Sequence, residues 1–65
     1  MQTYRVYFMC GKSIVAAEVV EARGYADAAD LATGASGAVP WRTLHPDRLE
    51  VWQGATFHLA AAIGC

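Results

Sequence analysis

The stretch from Tyr4 to Val20, YRVYFMCGKSIVAAEVV, decides the fold. It reads as two strands around a tight turn with Gly11-Lys12 at its centre. Glycine at the first central position suits a type II′ turn, which needs φ > 0 there and matches the twist of paired strands. The register then follows. Met9 faces Ile14, Phe8 faces Val15, Tyr7 faces Ala16, Val6 faces Ala17, Arg5 faces Glu18 and Tyr4 faces Val19. One face of this hairpin carries Tyr4, Val6, Phe8, Val15, Ala17 and Val19. The other sets Arg5 opposite Glu18, beside Tyr7, Met9, Ile14 and Ala16. A slip of one residue would swap the faces of one strand. A charge pair and an apolar face from one register support each other.

The chain has 65 residues, the size of one domain spanning 1–65. A chain this short buries only about 60% of the surface it exposes when unfolded. Its core supplies no more than ~3–5 kcal/mol net. Hydrophobic residues make up 55% of the sequence, but many are alanines that add little buried area. A partner would bury more, so self-association is favoured.

The formal net charge is -1, with no basic or acidic run. That argues against a strong nucleic-acid binder, which carries a basic footprint, and against a polybasic membrane-surface helix. Arg5 is followed by no long apolar run, so the N-terminus does not read as a signal peptide. No stretch reaches the roughly 18–20 apolar residues that span a bilayer. The expectation is a cytoplasmic protein. Two cysteines, Cys10 and Cys65, do not make a secreted disulfide scaffold and are expected as free thiols.

After the hairpin, Gly24 is a tolerable N-cap for a helix from Tyr25 to about Thr33. Asp27 and Asp30 lie towards its positive end. Tyr25, Ala28, Leu31 and Ala32 recur at helical spacing, and Gly34 is a natural stop. The alanines would let the helix sit close to the sheet, with Tyr4 and Phe8 filling the gap. Ala35 to Arg48 is irregular, because Gly37, Pro40 and Pro46 forbid a long regular element. Trp41 and Leu44 are its expected anchors, with room for a short strand or a 3₁₀ turn. Leu49–Trp52 and Thr56–Ala62 are the third and fourth strands. Matching Val51 with Phe57, Glu50 with His58 and Trp52 with Thr56 implies a three-residue loop, Gln53-Gly54-Ala55.

The order β-β-α-β-β gives an α+β fold: one four-stranded antiparallel sheet with a helix on one face. A right-handed crossover from strand two to strand three passes over strand one, so the spatial order is 2-1-3-4. Cys10 and Cys65 then fall on strands two spacings apart, roughly 9–10 Å. A disulfide needs Cα atoms within about 7 Å.

Several chemistries weaken on inspection. The letters GKS at Gly11-Lys12-Ser13 suggest a phosphate loop. That loop needs an earlier glycine where Val6 stands and a following helix where a strand stands. The possible metal ligands Cys10, His45, His58 and Cys65 show no ligand-pair spacing. No histidine is fixed beside Cys10 or Cys65 as a catalytic base. No catalytic residue, metal or cofactor is assigned.

The run YRVYF, then IVAAEVVEA, an alanine-rich helix and LEVWQGATFHLA resemble small uncharacterised bacterial ββαββ proteins. The shared features are a Tyr-Arg opening, an A-E-V-[IV]-E-A second strand and a V-W-x-G final hairpin. The resemblance covers about two-thirds of the chain and implies a fold, with no activity or site. The long Ala35–Arg48 connection departs from the compact pattern.

The sheet face away from the helix carries the functional expectation. By these registers it holds Arg5, Tyr7, Met9, Ile14, Ala16, Glu18, Glu50, Trp52 and His58. Such apolar and aromatic patches mark interaction sites, and Trp, Tyr, Met and Arg are enriched there. The bland alternative is that the Ala35–Arg48 loop, through Trp41, or the C-terminal tail folds across it. The favoured reading is a non-enzymatic protein–protein interaction module, a homodimer or the small partner of a larger protein. Two alternatives are a single-stranded nucleic-acid-binding sheet and a thiol-responsive protein acting through Cys10 and Cys65.

Overall fold

Two glycine-led turns shape the sheet. Gly11 and Gly54 both have φ +59, and the residue after each, Lys12 and Ala55, stays at negative φ. That pattern belongs to the type II′ hairpin, whose first central position is open to glycine at little steric cost. The computed structural model describes residues 1–34, 37 and 39–63. Its strands are β1 (Gln2–Cys10), β2 (Ser13–Ala22), β3 (Arg48–Gln53) and β4 (Thr56–Ala62). Helix α1 (Tyr25–Thr33) and a 3₁₀ turn (Trp41–Leu44) lie between β2 and β3. The sheet is antiparallel in the order β2-β1-β3-β4, the α+β architecture expected from the sequence.

Both hairpins depart from their expected register, the first through a bulge on its outer strand and the second through a shorter loop followed by a bulge. In the first, Met9 faces Ile14, but Phe8 faces Ala16, Val6 faces Glu18 and Arg5 faces Val19, with the shift between Phe8 and Met9. The expected Arg5–Glu18 cross-strand pair is therefore absent, and Val15 is the extra residue. The bulge lets Val15 and Ala16, neighbours in sequence, both pack against the core along with Val20. A regular ladder would send one of the two adjacent side chains to the opposite face. In the second hairpin the loop is the two-residue Gly54-Ala55, not Gln53-Gly54-Ala55. Gln53 faces Thr56, Trp52 faces Phe57 and Val51 faces Leu59, with His58 as the extra residue. Here turn chemistry prevails over the simplest hydrophobic match.

The core lies between the sheet and α1. Val6, Phe8, Val51, Ala22, Ala28 and Ala32 are fully buried, with Tyr4 and Leu49 nearly so. Each large side chain among them gives about 1.5–3 kcal/mol on burial. Helix α1 starts at Gly24, whose carbonyl accepts the Ala28 N–H at 3.0 Å, and ends where the Gly34 N–H reaches the Asp30 carbonyl at 2.9 Å. Its buried stripe is Ala28, Ala29 and Ala32. Leu31 is only half-buried, and Tyr25 is exposed at the rim. Alanine suits this stripe because it lets the helix backbone approach the sheet closely.

The connection to β3 is anchored by Trp41. Its ring lies 5.6 Å from that of Phe8 at an interplanar angle of 7°. The Arg42 guanidinium sits 4.6 Å from the Trp41 ring centroid, within cation–π range. Leu44, the other expected anchor, is instead exposed. Further on, Asp47 ties the two halves together. Its N–H donates to the Met9 carbonyl at 2.8 Å and its carbonyl accepts the Ile63 N–H at 3.1 Å.

Candidate interaction face

The three registers place the open face as rows running across all four strands. The first row is Val19, Arg5, Trp52 and Phe57. The second is Ala17, Tyr7, Glu50 and Ala60, and the third is Ile14, Met9, Arg48 and Ala62. Directly opposed residues share a face. These rows therefore join Tyr7, Met9, Ile14 and Trp52 into one apolar surface, with Arg5 set within it. Between the first and third rows lies a shallow hollow of about 330 Å³, lined by Tyr7, Met9, Ile14, Glu50, Trp52 and Gly54. Ile14, Val19 and Phe57 are exposed large apolar residues. Met9, by contrast, is closed in by its neighbours and only 8% exposed.

Trp52 is held by its surroundings. Its indole Nε1–H donates to Glu50 Oε1 at 3.1 Å, and its ring meets Phe57 edge-on at 5.3 Å. The other carboxylate oxygen of Glu50 pairs with Arg48 Nη2 at 3.3 Å, and Arg48 Nη1 pairs with Asp47 Oδ1 at 3.3 Å. Arg48 Nη1 also donates to the Gly11 carbonyl at 2.8 Å, and the Gly11 N–H donates to Asp47 Oδ2 at 2.8 Å. A polar chain thus runs from the first turn along β3 to the indole. It fixes the anchor ring and compensates the charge of Arg48.

Three residues expected on this face lie elsewhere. The bulge at Val15 carries Ala16 and Glu18 to the helix side, opposite Phe8 and Val6. The two-residue loop turns the His58 ring to the helix side as well, and the bulge there keeps Leu59 opposite Val51. There it stacks on Tyr25 at 5.3 Å and meets Tyr4 edge-on at 5.8 Å. His58 Nε2 lies 3.2 Å from Gln53 Oε1, and Gln53 Nε2 donates to Gln2 Oε1 at 2.6 Å. His58 therefore belongs to a polar rim that closes one end of the core, not to the interaction face. Three residues that the expected registers place on the core side, Ala17, Val19 and Phe57, lie on the open face instead. The signal for Phe57 was available: a glycine-led two-residue loop at Gly54-Ala55 puts Phe57 opposite Trp52. Val19 carried no comparable signal, because a bulge has no sharp sequence mark.

Among the described residues neither expected cover lies over the face. Trp41 packs on Phe8, on the helix side. The tail, as far as Ile63, packs against the core cluster. Among the described residues no segment other than the sheet itself contributes to these rows.

The other candidate chemistries gain no geometry. Gly11-Lys12-Ser13 is a hairpin turn leading into β2. Among the described residues no group of three or more His, Cys, Asp or Glu side chains is placed to hold a metal ion. Cys10 is exposed and free, at the opposite end of β1 from the Tyr4–His58 contact, about 20 Å away by strand rise. Cys65 lies outside the described residues. No helix among the described residues is long and apolar enough to cross a membrane. Searches of protein-family models, curated proteins and solved structures return no match.

Proposed function

We propose that the chain is a small non-enzymatic protein–protein interaction module that self-associates through the open sheet face. The observation that carries this reading is the set of three cross-strand rows, mostly apolar and, among the described residues, covered by no second layer. Contiguous apolar surface of this kind is rare on monomers unless it is used. Two features support a protein partner in particular. The anchors Tyr7 and Trp52 are of the residue types that dominate binding hot spots, and Trp52 is already fixed by Glu50 and Phe57. An anchor ordered before binding loses less side-chain entropy on association.

A second copy is the favoured partner on grounds of size. The fold measures 29 × 25 × 15 Å, so its broad face is a large share of its surface. Packed against its twin, that face would remove on the order of 1,200 Å² in all, the lower edge of the range for specific interfaces. The charge on the face is mixed and small, so two copies would not repel strongly. Nucleic acid is the weaker reading, because Arg48 is already compensated by Asp47 and Glu50.

Size exclusion with light scattering at micromolar concentration tests this. The expected mass is at least twice the 7.0 kDa of the chain. Tyr7→Ser with Trp52→Ser is expected to dismantle the face contact. A 7.0 kDa species at every concentration, or an assembly indifferent to both substitutions, rejects self-association through this face. Binding of a larger protein that is lost with the same substitutions would transfer the face to that partner.

A further inference from the structure

The two outer edges of the sheet differ. β4 is short and carries the His58 bulge within it. β2 runs for 10 residues, and its bulge lies near the turn, at Val15. From Ala16 to Ala22 it is regular, and it contains neither proline nor lysine. Proline, lysine, bulges and inward-pointing charges are the devices by which exposed strands resist pairing, and Ala16–Ala22 carries one of them, Glu18 on the helix side. Among the described residues no backbone hydrogen bond outside the β1 ladder reaches Ala16, Ala17 or residues 19–22. Outward-pointing N–H and C=O groups of such a strand form a template for another strand.

We propose that this edge pairs antiparallel with the same edge of a second copy, extending the sheet to eight strands across a two-fold axis. The sequence of β2 selects the register. The centre of the regular segment Ala16–Ala22 is Val19. An axis through Val19 pairs the segment wholly with itself: Val19 against Val19, Glu18 against Val20, Ala17 against Glu21 and Ala16 against Ala22. No two carboxylates stand directly opposite each other, whereas an axis through Glu18 would oppose two. Val19 is 58% exposed in the single chain, and this axis brings it against its symmetry mate. The two open faces then lie side by side as one continuous surface.

This pairing is independent of the open-face contact and compatible with it. The edge axis runs normal to the sheet, and a face-to-face axis lies parallel to it. Where two such perpendicular axes intersect they generate a closed four-copy assembly.

Cysteine cross-linking of the full chain tests the register. In a Cys10→Ser, Cys65→Ser background, Val19→Cys puts two thiols at directly opposed positions. Cα atoms there are about 4.5–5.5 Å apart, inside disulfide range. Glu21→Cys is the control, since its opposite is Ala17 and its own mate lies several residues along the strand. Under mild oxidation the Val19→Cys chain is expected to form covalent dimer at least about tenfold faster than Glu21→Cys. Mixing Glu21→Cys with Ala17→Cys chains restores the cross-link. The same experiment with Trp52→Ser added separates the two contacts, because edge cross-linking is expected to persist when the face contact is lost. Equal rates for Val19→Cys and Glu21→Cys, or no covalent dimer from either, overturns the edge pairing and leaves the face proposal standing on its own result.

Discussion

On the helix side of β1, Tyr4, Val6 and Phe8 are buried beneath α1 and Trp41. On the other side of the same strand, Arg5 and Tyr7 stand under no second layer among the described residues. β3 repeats the division, with Leu49 and Val51 buried on one side and Trp52 half-buried on the other. Both sides are rich in large apolar groups. One side uses them to pay the entropy of folding, and the other holds a tryptophan in a fixed pose with no further burial. The difference separates stability from recognition within strands only a few residues long. It also says which substitutions should unfold the chain and which should only disconnect it.

The largest effect is expected from Phe8→Ala. Phe8 is fully buried and stacked on Trp41, and truncating such a residue costs about 3–5 kcal/mol. That equals the whole net stability of roughly 3–5 kcal/mol expected for a chain of this size. Far-UV circular dichroism should find the variant largely unfolded at 25 °C. A cooperative transition near that of the parent chain would mean that the helix side is not the core.

Ala32→Leu sharpens the same side. Ala32 is fully buried in the close contact between α1 and the sheet. Extra methylenes there force the helix outward at a cost of about 1–3 kcal/mol. Urea unfolding measures the loss. A stabilised variant would show that the alanine stripe leaves unfilled space. Asp47→Ala comes next. The Asp47 carboxylate accepts the Gly11 N–H and pairs with Arg48 at the surface. Losing both is expected to cost about 1 kcal/mol. Amide exchange should then quicken at Gly11 and Lys12 before it does in the strands.

Much of this division was legible in the residues, and the part that was not has two causes, an inserted residue in β2 and a loop one residue shorter than expected before β4. The glycine-led first turn, the helix between Gly24 and Gly34 and the strand order followed from turn chemistry, spacing and the crossover rule. The placement of Tyr7, Met9, Ile14 and Trp52 on one face followed from alternation counted outward from the turn. Alternation failed at Ala16, Ala17, Glu18 and Val19, which lie past the Val15 bulge, and at Phe57 and His58, which a loop of two residues in place of three moves to the opposite face. One inserted residue reverses the face of everything beyond it. Nothing local to Val15 or His58 announces the insertion. Its benefit is tertiary: Val15 and Ala16 both reach the core in β2, and Leu59 stays on the core side opposite Val51 in β4. The central strands β1 and β3, held by neighbours on both sides, kept their expected faces.

Trp52→Ser completes the comparison with the smallest expected effect on the single chain. The indole is half-buried, its Nε1–H goes to Glu50, and its ring meets only the exposed edge of the sheet at Phe57. Glu50 keeps Arg48 as a partner when the indole is removed, so no buried charge is stranded. At dilute concentration the variant should lose no more than about 1 kcal/mol. Its self-association should weaken by at least about 2 kcal/mol, the scale of a tryptophan hot spot. The two quantities are read separately, by unfolding at sub-micromolar concentration and by light scattering at high concentration. If the stability loss approached that of Phe8→Ala, Trp52 would belong to a second core and the open face would be structural. If neither quantity moved, the fixed indole would contribute to neither folding nor association. A small loss in the first with a large loss in the second is the pattern that only a recognition surface produces.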